Sequence, residues 1–355
     1  MESKGRAGRR RTREEDITLV PEGDLFSGLP ASPVAGDRSL LMLGEVSTGL
    51  LQHSTAVSPQ MSGEILGLRP GERVRWSTRP APYAVSPDLL TGVDCRLPSG
   101  TNVQTRCVGT AVSRAILTGG RVLQGSAYTR LSGGPRGRRL PWSHYLSRPG
   151  VLEALGRMTP RDIATGFAAS QQPPESLNLG AIGARAMNAV QDAAGLDRQV
   201  PFRMARTRLR WIVVPADAAA SVSFGVDGEI RRTLLLRLDA DLDSAQVSQI
   251  VGLCEDLALH DWLLTALAEL IDRSRIGVAK PRDVVARLKP AIDELLHLWM
   301  PAARVDRSLA GLWESLERRP GFSQQWTASV ARVRDQVALT TIALLSALDL
   351  TASRP

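Results

Sequence analysis

The stretch "TGG" (118–120) separates two proline-free runs, "TNVQTRCVGTAVSRAIL" and "RVLQGSAYTRL". Paired glycines supply the positive φ that a tight turn needs, and both flanks are rich in β-branched and small residues, so the segment predicts a β-hairpin. An isolated hairpin is marginal in water, so the rest of the chain must supply further strands and a cover. Ala111, Ser113, Gly125 and Ala127 lie on the arms. Such small side chains either let another layer or chain approach closely or suit a curved sheet.

Further strands are predicted on both sides. "SLLMLGEVSTGLLQ" begins at Ser39. "GERVRWSTRP" alternates, with Val74 and Trp76 on one face and Arg73 and Arg75 on the other. "YAVSPDLLTGVDC" (83–95) is punctuated by Pro and Gly and reads as a structured loop. "RLRWIVVP" (208–215), "ASVSFGV" (220–226) and "EIRRTLLLRL" (229–238) predict a three-stranded antiparallel segment. Asp227-Gly228 serves as the two-residue turn between its last two strands.

Helical patterns fill the remainder. In "PWSHYLSRPGVLEALGRMTPRDIATGF", Pro149 can open a helix, with Val151, Leu152 and Leu155 at helical spacing. "ASQQPPES" (169–176) is a linker, and "LGAIGARAMNAVQDAAGL" a helix of small residues. "LDADLDSAQ" (238–246) superficially resembles a calcium loop. It has Ser244 after Asp243 and Ile250 at the place of the bidentate Glu, which excludes that reading. Asp243 and Gln246 instead form a capping box that opens a helix over 244–273, followed by helices over 281–300, 308–318 and 323–349.

The expected fold is therefore α+β, with antiparallel sheet regions followed by a C-terminal helical bundle. The division predicted is a disordered basic tail (1–38), a β-rich domain with a helical end (39–170), a helix with three strands (171–243) and the helical bundle (244–355). No apolar run approaches the ~18 residues of a membrane span. The basic N-terminus is followed by no apolar stretch of a signal peptide, so a cytoplasmic protein is expected. Cys95, Cys107 and Cys254 form no CxxC, which argues against a disulfide framework or a structural zinc and for reduced thiols.

The net charge of +8 points toward nucleic acid as a partner. Against this, only Lys4, Lys280 and Lys289 among the 44 basic residues are lysines. That skew toward arginine is what a GC-rich genome produces without selection for binding. The densest basic run, "GRAGRRRTR" (5–13), lies in the expected tail. "SGGPRGRR" (132–139) predicts an exposed Arg-rich loop.

Chemistry concentrates in "CEDLALHDW" (254–262). On a helical wheel at about 100° per residue, Leu259, Leu263, Leu267, Leu270 and Ile271 form one apolar arc. Asp256 and His260 fall inside it, four apart and adjacent, while Cys254, Glu255 and Asp261 fall outside. Three readings follow for the inward pair. It is a buried contact that fixes how the helix docks, a polar pair at an interface, or a catalytic dyad in which Asp256 orients His260 as a general base. The dyad needs a nucleophile, and Cys254 lies about 120° away on the wheel. G-x-S-x-G, P-loop, G-x-G-x-x-G and H-E-x-x-H motifs are all lacking, and no metal ligands or cofactor are expected. In "DELLHLW" (293–299), Asp293, Glu294 and His297 lie outside the apolar arc and read as a solvated face. Trp142, His144, Tyr145 and Arg148 in "LPWSHYLSRPG" are candidate binding residues. They could stack bases, anchor a protein partner, or pack a domain junction.

"LLMLGEVSTGLLQHS", "YAVSPDLLTGVDC", "LTGGRVLQGSAYTRL", "LPWSHYLSRPGV" and "CEDLALHDWLL" together resemble an uncharacterised actinobacterial protein family encoded beside other uncharacterised families and a variant P-loop protein. The resemblance covers roughly residues 40–160 and 205–270 and carries no catalytic residue or cofactor. It implies a component of a multi-protein system, acting with a P-loop nucleotidase partner. The function expected is a non-catalytic interaction component of a cytoplasmic assembly. The alternatives are a nucleic-acid-binding accessory protein and a hydrolase-like enzyme using Asp256 and His260.

Overall fold

A computed structural model of the chain describes Leu25, Phe26, Leu29 and residues 39–100, 105–133, 138–169, 173–216, 220–238, 243–276 and 278–352. Its strands are β1 (Ser39–Leu50), β2 (Arg75–Ser77), β3 (Tyr83–Val85), β4 (Leu89–Arg96), β5 (Arg106–Thr118), β6 (Val122–Gly133), β7 (Val151–Ala154), β8 (Thr207–Pro215), β9 (Ser221–Asp227) and β10 (Arg231–Leu238). Its helices are α1 (Pro59–Leu66), α2 (Trp142–Leu146), α3 (Pro160–Ala168), α4 (Leu179–Gln191), α5 (Ser244–Arg273), α6 (Pro281–Glu294), α7 (Ala310–Arg318) and α8 (Phe322–Ala352). The class is α+β, with the C-terminal helices following the strands as expected.

The strands form one mixed sheet in the order β2-β3-β5-β7-β6-β1-β8-β10-β9, with β4 pairing β5 off this path. Gly119 and Gly120 turn between β5 and β6 at φ 59° and 64°, as the paired glycines predict. A Cβ on Gly120 would also lie 2.3 Å from the Val57 carbonyl oxygen. The hairpin then opens, and β7 is inserted, antiparallel to Cys107–Gly109 and parallel to Arg130–Gly133. Residues 151–154 are thus a strand, where the spacing predicts a helix. All four are buried, and a short apolar run buried on both faces carries no period to separate strand from helix. "YAVSPDLLTGVDC" is likewise two strands, β3 and β4, rather than a loop.

The last three strands depart from a simple antiparallel meander. β9 and β10 pair antiparallel, but β10 runs parallel to β8, which itself pairs with β1. Burial explains the order. Leu234, Leu235 and Leu236 are fully buried and suit an inner strand, whereas the alternating exposure of β9 suits an edge. Asp227 pairs with Arg231, so the connection has three residues, with Gly228 at φ 67°, rather than two.

Helices cover both faces. On one, α4 brings Gly183 against Gly125 so closely that a Cβ on Gly125 would lie 2.5 Å from the Gly183 carbonyl oxygen. The small residues of the hairpin arms therefore admit a helical layer. On the other face α5 lies on the sheet, opened by the Asp243–Gln246 capping box, and is covered in turn by α6, α7 and α8. α6 ends at Glu294, short of the expected helix to 300, and passes into a 3-10 turn at Leu296–Leu298.

The expected tail is more than solvated chain. Leu25, Phe26 and Leu29 are buried in the core beside Ile212 and Leu235. The other residues of 1–38, and 134–137 of the Arg-rich loop, lie outside the described residues.

Candidate functional site

Covered by the sheet on one side and by helices on the other, α5 has no free face over most of its length. Glu255, Asp256, His260 and Asp261 are all buried, and so is Cys254. The expectation that Cys254, Glu255 and Asp261 point outward is overturned, because a wheel identifies one buried face and α5 has none that is open. Each carboxylate meets a different environment.

Glu255 lies between two guanidiniums. Arg114 donates from Nε to Oε1 at 2.7 Å and from Nη2 to Oε2 at 2.8 Å, and Arg304 donates to Oε2 at 2.5 Å. Gln124 donates to the Glu255 carbonyl oxygen at 2.9 Å and accepts from Arg304 at 3.1 Å. Burial opposes the charge of Glu255, but the two arginines outweigh it and hold the carboxyl below its ordinary value of 4.5. Arg304 also sits 4.9 Å from the centre of the Tyr83 ring.

Asp261 accepts from Arg232 Nε at 2.9 Å at the floor of a groove of about 680 Å³ between the β9–β10 hairpin, α5 and the start of α8. Burial raises its carboxyl above the usual range despite Arg232.

Asp256 and His260 do face inward and adjoin, as the wheel predicts. His260 Nδ1 stands 2.7 Å from the Asp256 carbonyl oxygen, so that nitrogen carries the proton and donates it to the main chain. The Asp256 carboxylate is farther, with Oδ2 at 3.6 Å. Among the described residues, neither its oxygens nor His260 Nε2 has a hydrogen-bond partner. Burial lifts the Asp256 carboxyl above its usual range. Trp299 and Trp313 meet the imidazole edge-on at 4.9 and 5.8 Å between ring centres, and Trp299 stacks on Trp326 at 4.2 Å. A general base would take its proton on Nε2, yet His260 is 1 % exposed. The Cys254 thiol is enclosed, and burial pushes it well up, away from the reactive thiolate.

The second cluster converges on a residue the sequence reading did not single out. His144 Nε2 and Arg148 Nη1 lie 2.7 and 2.6 Å from Oε1 of buried Glu153, on β7. The buried Tyr145 hydroxyl accepts from Leu140 N–H at 2.9 Å, and its ring meets Trp142 edge-on at 5.8 Å. His144 and Arg148 thus tie α2 and the turn after it to β7, while Tyr145 braces Leu140 and Trp142. Trp142 is exposed, and Arg139 sits 5.9 Å from its ring centre.

Other groups have structural partners too. Arg210 holds the buried Glu45 at 3.1 Å. Glu294, read as solvated, pairs at 2.6 Å with buried Arg121. Cys95 and Cys107 face each other across β4 and β5 with Sγ atoms 3.7 Å apart. Among the described residues no cluster of three or more His, Cys, Asp or Glu side chains is arranged to hold a metal ion. No described helix is long and apolar enough to cross a membrane.

The missed signal was arginine at inward strand positions. Arg114, Arg210 and Arg232 sit in β5, β8 and β10, and each meets a buried carboxylate. No protein-family model matches the chain, and neither the curated proteins nor the solved structures compared with it contain a match.

Proposed function

We propose that this chain is a non-catalytic interaction component of a cytoplasmic multi-protein assembly, whose partners include a P-loop nucleotidase. The observation that carries this reading is the outer half of α8. Leu339, Ile342 and Leu345 are 63, 60 and 57 % exposed, on a segment without a charged residue between Asp335 and Asp349. Three large aliphatic side chains spaced by three form one helical stripe, and exposed apolar stripes of this kind mark contacts with other proteins. The P-loop partner rests on the family resemblance described above.

The chemistry of the buried groups supports the same reading. His260 has no open approach and no nucleophile beside it, which weakens the hydrolase alternative. Arg114, Arg148, Arg210, Arg232 and Arg304 pair with buried carboxylates, so these five arginines are already engaged within the protein.

The test is affinity capture with the tagged full-length chain, comparing wild type with Leu339→Asp/Ile342→Asp. Both side chains are exposed, so the melting temperature should stay within a few degrees. A polypeptide retained by wild type at stoichiometric level should be lost from the variant. Equal capture by a folded variant refutes the role given to α8.

A further inference from the structure

A cavity of about 230 Å³ opens over the Glu255 side chain. Its floor is one stripe of α5, where Ser248, Gly252 and Glu255 recur at helical spacing. Tyr83 and Trp76 form walls from β3 and β2, and Arg75, Arg114 and Arg304 supply its cations. Gly252 keeps the helix surface low at this point: a Cβ there would lie 3.2 Å from the Arg304 carbonyl oxygen.

The charges around this cavity do not balance. Three guanidiniums face two carboxylates, Glu255 and Asp88. The side chains of Arg114 and Arg304 are each 6 % exposed, so their charges are poorly screened by water. Glu255 is saturated by its three charge-assisted bonds. Asp88 lies at the mouth, 44 % exposed, 3.5 Å from Arg75 and 3.9 Å from Arg114 Nη1. The second distance is too long for a hydrogen bond. Of the residues that line the cavity, Glu255 is the one carboxylate, against the guanidiniums of Arg75, Arg114 and Arg304. An excess positive charge therefore borders an open space. Trp76, 49 % exposed, stands beside it with no aromatic partner among the described residues.

We propose that this cavity binds a small monoanionic carboxylate. Arg75 and Arg114 Nη1 hold its oxygens, and its planar or apolar body lies against Trp76 and Tyr83. A single negative charge matches the excess. At ~30 Å³ per water the space equals about seven or eight waters, the scale of a one-ring acid. The site is independent of the α8 stripe, since none of its residues belongs to α8.

The experiment titrates the full-length protein with sodium benzoate, inorganic phosphate and neutral benzamide, up to about 10 mM, the weak-binding range. Tryptophan fluorescence reports on the Trp76 wall, and calorimetry gives the affinity. Arg75→Gln and Trp76→Ala change exposed side chains only, and a melting curve checks that both stay folded. Benzoate should bind saturably with one site per chain. Arg75→Gln should weaken it at least roughly tenfold, the loss of one charged hydrogen bond. Trp76→Ala should weaken it and remove most of the fluorescence change, and benzamide should not compete. No saturable response to benzoate, equal binding of benzamide, a response to phosphate alone, or unchanged affinity in folded Arg75→Gln would each overturn the proposal.

Discussion

Replacing Glu255 by Gln tests the energetic role of α5 at its most charged point. The carboxylate accepts three hydrogen bonds from Arg114 and Arg304, with no exposure of its own side chain. Glutamine keeps one accepting oxygen and aims an N–H₂ at donors. At least one charged hydrogen bond is lost, about 1.5–3 kcal/mol. Two guanidiniums, each 6 % exposed, are left without their shared counter-charge. Broken buried pairs cost about 3–5 kcal/mol, and that is the magnitude expected here. It is a large share of the ~5–15 kcal/mol that holds a typical domain. Urea unfolding of the full-length chain should show a midpoint drop of about 1 M or more with an unchanged slope. The pH dependence has a definite sign. The folded carboxyl is held below its ordinary value of 4.5, so its contribution is complete above that value and fades as pH falls through the folded one. The gap between wild type and variant should be widest near neutrality and close in acid. A loss under ~1 kcal/mol at neutral pH, or a gap that widens in acid, refutes the reasoning.

Asp256→Asn should act in the opposite sense. Burial raises the Asp256 carboxyl, so its favourable contribution belongs to low pH and is lost as pH rises through the folded value. The variant should gain on wild type as pH increases, by roughly 1–2 kcal/mol at neutrality in urea titrations. Gly125→Val forces a side chain against the Gly183 carbonyl and should destabilise by at least about 1–3 kcal/mol, read from the melting temperature. Leu25→Ala should cost about 2–5 kcal/mol in the same assay, whereas a merely solvated tail would show no change.

Much of the fold is legible in the sequence where local chemistry decides the outcome. The paired glycines mark the β5–β6 turn, and Asp243 with Gln246 marks the start of α5. Reading fails where neighbours distant in the chain decide. "VLEA" is a strand because the splayed hairpin leaves an opening between Cys107–Gly109 and Arg130–Gly133. β10 lies inside the sheet because its leucines need cover on both faces. At the candidate site, a wheel correctly turns Asp256 and His260 inward, since Leu259, Leu263 and Leu267 share their side. It misplaces Glu255 and Asp261, whose partners Arg114 and Arg232 come from strands 141 and 29 residues away. Alternation along those strands could have shown the inward arginines, but single basic residues in strands read as solvent-facing.

On the non-catalytic function proposed above, the polar residues of 254–262 serve to fix the packing of α5. The most direct measurement pairs thermal melts with partner capture for His260→Ala and for Asp256→Leu/His260→Leu. His260→Ala opens a void between Trp299 and Trp313 and should cost about 2–4 kcal/mol. The double variant replaces a carboxylate and an imidazole, whose Asp256 oxygens and His260 Nε2 lack hydrogen-bond partners among the described residues, by apolar groups of similar reach. It should melt near wild type and capture the same partner to the same extent. A double variant that folds as well as wild type yet loses the partner would contradict the account and return Asp256 and His260 to a functional role.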